Sequence, residues 1–182
     1  MKRWGARIGA LALILGLSLA MAACSGDDDE GPIVEPRTQC LPAEEQAPQL
    51  LLPDLDGAEY DIKDDLCEKV VLLHFSATWC PACGNGLERM EAFHQAYGER
   101  GLRVMAVNML EDIKRVRTYF TEQGTTFPVL LDRFGTYTTF WDVHVIPTYI
   151  LVSYEGVEVM RIEGYGDEEL DDLEAAIQAQ LD

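Results

Sequence analysis

Two cysteines three residues apart, Cys80 and Cys83 in Trp79-Cys80-Pro81-Ala82-Cys83, are the residues best suited to chemistry in this 182-residue chain. Thiols at this spacing can exchange with a foreign disulfide: one attacks as a thiolate and forms a mixed disulfide, which the other resolves. Pro81 suits the first turn of a helix, where a missing N–H costs nothing. That places Cys80 at a helix N-terminus, where free N–H groups and the positive dipole end favour the thiolate. Cys83 then stands one turn behind, positioned to resolve. Two other uses of the pair fit less well. A zinc site needs four ligands, normally a second pair at matching spacing, whereas Cys40 and Cys67 lie twenty-seven apart and the chain has three histidines. A purely structural disulfide does not explain a pair set at a strand-to-helix corner behind an aromatic residue.

That corner comes from the hydrophobic pattern. Val70-Val71-Leu72-Leu73-His74-Phe75 is a near-continuous apolar run, as in a strand buried on both faces. Leu87, Met90, His94 and Tyr97 follow at three- and four-residue intervals and Gly98 closes them, which predicts a helix. Leu102 to Val107 predicts the next strand, and Ile113, Val116 and Phe120 a second helix ending at Gly124. Pro128 to Leu131 is a short strand. Residues 148–152 and 157–162 flank Tyr154-Glu155-Gly156 as a hairpin. The last helix opens near Asp167 and carries Leu170, Leu173, Ile177 and Leu181 on one face. Ahead of these, Leu50-Leu51-Leu52, a turn at 54–57 and Glu59 to Ile62 suggest an opening hairpin. The order predicts an α/β fold, a central mixed sheet flanked by helices with an N-terminal hairpin extension.

Upstream of position 46 the chain reads differently. Lys2, Arg3 and Arg7 precede an apolar or small run from Ile8 to Ala23, shorter than the roughly 20 residues a spanning helix needs. This is the anatomy of a secretory signal over 1–23. Cys24 follows Leu19-Ala20-Met21-Ala22-Ala23 and resembles the lipidated cysteine of a bacterial lipobox. Met21 stands where Leu is commonest, and cleavage after Ala-x-Ala is the alternative. Residues 24–45, with Asp27-Asp28-Asp29-Glu30 and three prolines, read as an acidic tether carrying the domain of 46–182. The formal charge is −18, and without the leader eleven basic residues face thirty-two acidic ones, a net −21. Such a surface repels nucleic acid and excludes it as a partner. Outside the cytosol two spare thiols tend to pair, so Cys40 and Cys67 are candidates for a structural disulfide.

Phe75-Ser76-Ala77-Thr78-Trp79-Cys80-Pro81-Ala82-Cys83 resembles the active-site segment of thioredoxins, and Val145-Ile146-Pro147-Thr148-Tyr149 their cis-proline segment. Ala47-Pro48, Ala106-Val107-Asn108 through Glu111, and Phe127 through Asp132 are similar to the membrane-tethered TlpA/ResA-like subfamily. The likeness runs from about 46 to the C-terminus and implies a thioredoxin fold. It implies a thiol–disulfide oxidoreductase with Cys80 as nucleophile, Cys83 as resolving thiol and a cis Pro147. Trp79, Ile146 and Pro147 would meet the substrate. No cofactor beyond the Cys80–Cys83 disulfide, and no metal, is implied. Partners would be extracytoplasmic proteins with cysteine pairs, an upstream membrane thiol reductant, and the membrane itself through the lipid anchor. The subfamily's role is reductive, preparing apocytochrome c cysteines for haem.

Three positions qualify the resemblance. Glu111 matches a buried acid that in ResA-like proteins helps move the resolving thiol's proton, or is a solvated first-turn residue of the next helix. Leu110 stands where the subfamily usually has Gly, which puts the local backbone in doubt. His74 falls six before Cys80, where thioredoxins carry a buried carboxylate. It reads as a neutral, hydrogen-bonded core residue, with proton relay as the alternative. Trp79 is expected to pack beside the disulfide and shield it. Pro81 comes first in the dipeptide, as in oxidising relatives, so direction stays open. Two other functions remain in view. A Sco-like copper chaperone would use two cysteines and a distant histidine such as His144. A thiol peroxidase would need Pro-x-x-x-Thr-x-x-Cys, which Phe75 to Cys80 lacks.

Overall fold

The computed structural model describes residues 40–182. The leader, Cys24 and most of the expected tether lie outside them. Two strands open the described chain, β1 (Leu51–Pro53) and β2 (Glu59–Asp61), paired antiparallel. Asp54 forms their turn by accepting from the backbone N–H of Asp56 and Ala58. The main sheet has five strands in the order β5-β4-β3-β6-β7: β3 (Val70–Ser76), β4 (Leu102–Met109), β5 (Val129–Asp132), β6 (Thr148–Val152) and β7 (Glu158–Glu163). β3, β4 and β5 run parallel, whereas β6 and β7 are antiparallel to their neighbours. The helices are α1 (Pro81–Tyr97), α2 (Ile113–Glu122), α3 (Thr136–Phe140) and α4 (Asp167–Leu181).

β3 lies at the centre of the sheet, and all seven of its residues are buried, which is why it reads as an unbroken apolar run. Alternation along the strands divides the core in two. Val70, Leu72, Val104, Ala106, Tyr149 and Leu151 face α1, α2 and α4. Val71, Leu73, Phe75, Met105, Val107 and Ile150 face the N-terminal hairpin and Trp141 after α3. The parallel strands and the incoming β6 bring the C-terminal ends of β3, β4 and β5 and the start of β6 to one end of the sheet.

The body begins earlier than the expected boundary at 46. Cys40 is joined to Cys67 in a disulfide with Cα atoms 5.2 Å apart. The Leu41 N–H donates to Glu155 O (3.3 Å) and the Ala47 N–H to Gly156 O. Gln46 donates to Leu41 O at 2.6 Å and lies 3.1 Å from Cys40 Sγ. Residues 40–45 are therefore part of the body, not of a tether. α3 is too short, at five residues, to give a readable apolar period, and the sequence pattern misses it. Among the described residues no helix is long and apolar enough to cross a membrane.

Candidate active site

At the end of β3 the chain turns through Ala77, Thr78 and Trp79 into α1. The Cys80 N–H donates to Ala77 O (3.1 Å), which closes the turn. Cys80 caps the helix with extended backbone, and its Sγ accepts from the Cys83 N–H at 3.1 Å. Pro81 follows in the first turn. The sulfur thus takes the part a serine or aspartate oxygen usually plays at an N-cap, facing the helix's free donors. Cys80 and Cys83 are joined, with Cα atoms 5.3 Å apart. Their exposures differ: Cys80 is 6% exposed and Cys83 1%. An attacking group from solution meets Cys80 first.

Opposite the pair, the Ile146–Pro147 bond is cis. The turn is held by Thr148 Oγ1 donating to Val145 O (2.6 Å) and by the Gly164 N–H donating to Pro147 O (2.7 Å). Ile146 O lies 3.8 Å from Cys80 Sγ. The chain neighbours of Cys80 and Ile146 leave apolar side chains open to solvent: Trp79 is 56% exposed, and Val145 is also exposed. Trp79, next to Cys80 in the chain, thus faces solvent over more than half its surface.

Glu111 is not a solvated helix residue. Asp112 caps α2, so Glu111 precedes the helix, and its side chain is 4% exposed. Its Oε2 accepts from the Thr78 N–H (2.6 Å) and from Asn108 Nδ2 (2.9 Å), and its Oε1 from Thr78 Oγ1 (2.6 Å). Arg115 adds an ion pair at 3.3 Å and donates to Thr78 Oγ1 at 2.9 Å. A buried carboxylate is thus fastened to the loop two residues before Cys80. Thr78 and Asn108, its partners, have no motif of their own; the hydroxyl between an apolar strand and the cysteine pair was the available signal. Just before Glu111, Leu110 has φ +58°, so the chain keeps the left-handed backbone a glycine would adopt freely.

His74 is fully buried on the α1 face and stacks on Tyr149, ring centroids 4.8 Å apart. Burial pushes its imidazole down to about 3, so it is neutral. No described protein atom hydrogen-bonds to either ring nitrogen. His144 is exposed, with Nε2 2.8 Å from Asp142 Oδ1. Among the described residues no three of His, Cys, Asp and Glu converge as a metal site.

The comparisons agree with this geometry. Residues 42–177 match the Redoxin family. The thiol-disulfide oxidoreductase ResA of Halalkalibacterium halodurans is 31% identical over 124 residues, covering 68% of this chain and 69% of that protein. ResA of Geobacillus kaustophilus is 33% identical, covering 64% of this chain and 66% of that one. A solved Chlorobium tepidum chain given the name thiol:disulfide interchange protein DsbE superposes with a TM-score of 0.71. It is 26% identical, over 76% of this chain and 96% of its own. StoA from Bacillus subtilis shares the fold, with a TM-score of 0.58 at 23% identity, over 69% of this chain and 95% of that one. With its cysteine pair on the N-terminus of α1 and this set of relatives, the chain belongs to the Redoxin family, as a thiol–disulfide oxidoreductase of thioredoxin fold.

Proposed function

We propose that the protein works outside the cytoplasm as a lipid-anchored oxidoreductase that reduces cysteine pairs in other proteins, in the manner of cytochrome c maturation. Cys80 attacks the substrate disulfide as a thiolate, and Cys83 resolves the resulting mixed disulfide. The redox-active pair serves without any added cofactor. The observation that carries this reading is the placement of Cys80 at the N-cap of α1, with the Ile146 carbonyl 3.8 Å from its sulfur. A substrate strand lying across Ile146 and Pro147 would bring its own sulfur to Cys80, and Trp79 would flank it. Glu111 holds the attacking loop in place through Thr78. The anchor is assigned to Cys24, at the end of the signal-like segment, and the acidic stretch after it gives the domain reach. An upstream membrane thiol donor would return the pair to the reduced state. The likeness to ResA proteins supports thiol–disulfide exchange, and the reductive direction is what the subfamily resemblance implies.

Trapping tests the reading. Cys83→Ser expressed in the exported, full-length form should accumulate mixed disulfides through Cys80, and the captured partners should carry cysteine pairs. Cys80→Ser should capture nothing and turn over no model disulfide. Undiminished turnover by Cys80→Ser would overturn the assignment.

A further inference from the structure

The sheet order β5-β4-β3-β6 sets four chain turns side by side at the end that carries Cys80. Each offers solvent one large apolar side chain: Phe134 just beyond β5, Leu110 directly after β4, Trp79 after β3 and Val145 before β6. Single exposed apolar residues are ordinary on protein surfaces, whereas contiguous ones mark sites of contact. Trp79 and Val145 flank the exchange site already described. Leu110 and Phe134 extend away from Pro147, and they are 57% and 86% exposed. Leu110 reaches the β5 turn itself. Its N–H donates to Asp132 O (3.0 Å), and a Cβ on Gly135, the residue after Phe134, would meet its Cδ2 at 3.2 Å. On its other side Leu110 adjoins Glu111, whose carboxylate holds Thr78, two residues before Cys80. Two strand spacings, about 10 Å, separate the ends of β3 and β5.

Leu110 holds φ +58°, a left-handed backbone that glycine adopts freely and leucine does not. Strain of this kind gathers at functional sites. A leucine more than half exposed returns little burial for its strain, so its side chain serves something outside the fold. The nearest charges in the chain, Arg133 and Asp112, face each other at 4.0 Å, so the spot favours neither sign and selects by apolar contact. We propose that Leu110 and Phe134 anchor an aromatic or large aliphatic side chain of the substrate protein, three or four residues from the cysteine that reacts with Cys80. The inference rests on the redox role given to the cysteine pair. An extended chain rises about 3.3 Å per residue, so three or four residues span the two strand spacings. The occupant is a segment of a chain that has not finished folding, since folded proteins keep most such side chains inside.

The anchor acts on the first, bimolecular step. Cys80 Sγ attacks as a thiolate one sulfur of the substrate disulfide. The Cys80–substrate bond forms and the substrate's own S–S bond breaks. The leaving sulfur departs as a thiolate with the electron pair of the broken bond. An apolar contact made before this attack and kept through it raises the rate at low substrate and leaves the chemistry at Cys80 alone. Leu110 and Phe134 thus choose among substrates by what lies beside the cysteine.

The test uses the full-length, reduced protein carrying Cys83→Ser, which stops at the mixed disulfide. Its substrates are glycine–serine peptides with one cysteine capped by nitrothiobenzoate. Attack by Cys80 on the peptide sulfur releases the coloured nitrothiobenzoate thiolate, and its appearance gives the second-order rate. A single phenylalanine is stepped outward from the cysteine, on either side. The rate should peak about tenfold above that of the phenylalanine-free peptide, at a spacing of three or four on one side. Phe134→Ser should abolish the peak. Leu110→Gly should abolish it too, with no loss of stability to urea, because glycine relieves the backbone. A flat profile, or a peak that survives Phe134→Ser, would overturn the anchor. A Leu110→Gly protein that unfolds far more readily would make Leu110 a packing residue and overturn its part. Sedimentation tests the other occupant: a monomer supports the proposal, and a dimer that Phe134→Ser disperses seats a second copy there and ends it. No release from any peptide would instead count against the redox role of Cys80, a result distinct from release with a flat profile.

Discussion

Glu111 holds Thr78 by both its carboxylate oxygens, one on the backbone N–H and one on the hydroxyl, each at 2.6 Å. The loop that presents Cys80 is thereby tied to the end of β4. Removing the carboxylate leaves the Thr78 and Asn108 donors unpaired in a buried setting. Glu111→Ala is expected to cost about 2 kcal/mol, typical of buried bonds to a charged acceptor, and Glu111→Gln less. Urea denaturation of the oxidised protein measures this. Disulfide exchange should slow in both variants. Equal stability in all three proteins would show that Glu111 does not fasten the loop.

Gly86 and Tyr149 set the distance between α1 and the sheet. Gly86→Ala would drive its methyl into the Tyr149 hydroxyl, and overpacking of this kind costs about 1–3 kcal/mol. Tyr149→Phe in the same chain should recover part of the loss, because the Tyr149 Cζ would remain 3.1 Å from the new Cβ. Thermal unfolding of the two single variants and the double variant checks the coupling.

Cys67 has φ +72°, the left-handed region where glycine is at ease. Breaking the Cys40–Cys67 bond, which closes a separation of 27 residues, should cost about 3 kcal/mol. In that background Cys40→Ala with Cys67→Gly should exceed Cys40→Ala with Cys67→Ala by about 1 kcal/mol. Denaturant titration of the parent protein and the two pairs, each under oxidising conditions, gives both differences.

His74 makes stability depend on acid. Unfolded, its imidazole binds a proton near 6.5; folded, burial holds it at about 3. Between those values the unfolded chain carries more protons, so stability falls as pH drops from about 6.5 toward 3 and is fully present above. His74→Asn should flatten this limb of the stability–pH curve. A slope that survives in His74→Asn would have to come from another group. Asp65 is a separate contributor at lower pH. Burial opposes its charge, but hydrogen bonds from Lys69, Tyr60 and Arg103 outweigh burial and hold the carboxyl below its usual range.

The parts of this protein most legible in the sequence are those fixed by local rules. Val70 to Phe75 reads as a buried strand because both faces of β3 are covered, and Pro81 marks a helix start because the first turn is where its ring and missing N–H cost nothing. Cys80 at the N-cap follows from those two facts alone. Glu111 could be noticed but not placed, since its partner Thr78 lies 33 residues earlier and only the adjacency of β3 and β4 joins them. The surroundings of His74 were less visible still, since its stacking on Tyr149 depends on the register of β3 and β6. Residues 40–45 read as tether because they continue an acidic, proline-containing stretch with no apolar period, and nothing local reveals that Gln46 and Cys67 hold them.

The Cys40–Cys67 bond also fixes the end of the body at which the described chain begins. Cys67 stands just ahead of β3, whereas Cys80 follows its other end, so the length of the strand, about 20 Å, separates them. A force reaching the body through Cys40 would be borne by the covalent bond and by the Leu41–Glu155 hydrogen bond, at the end of β3 opposite the one that bears Cys80.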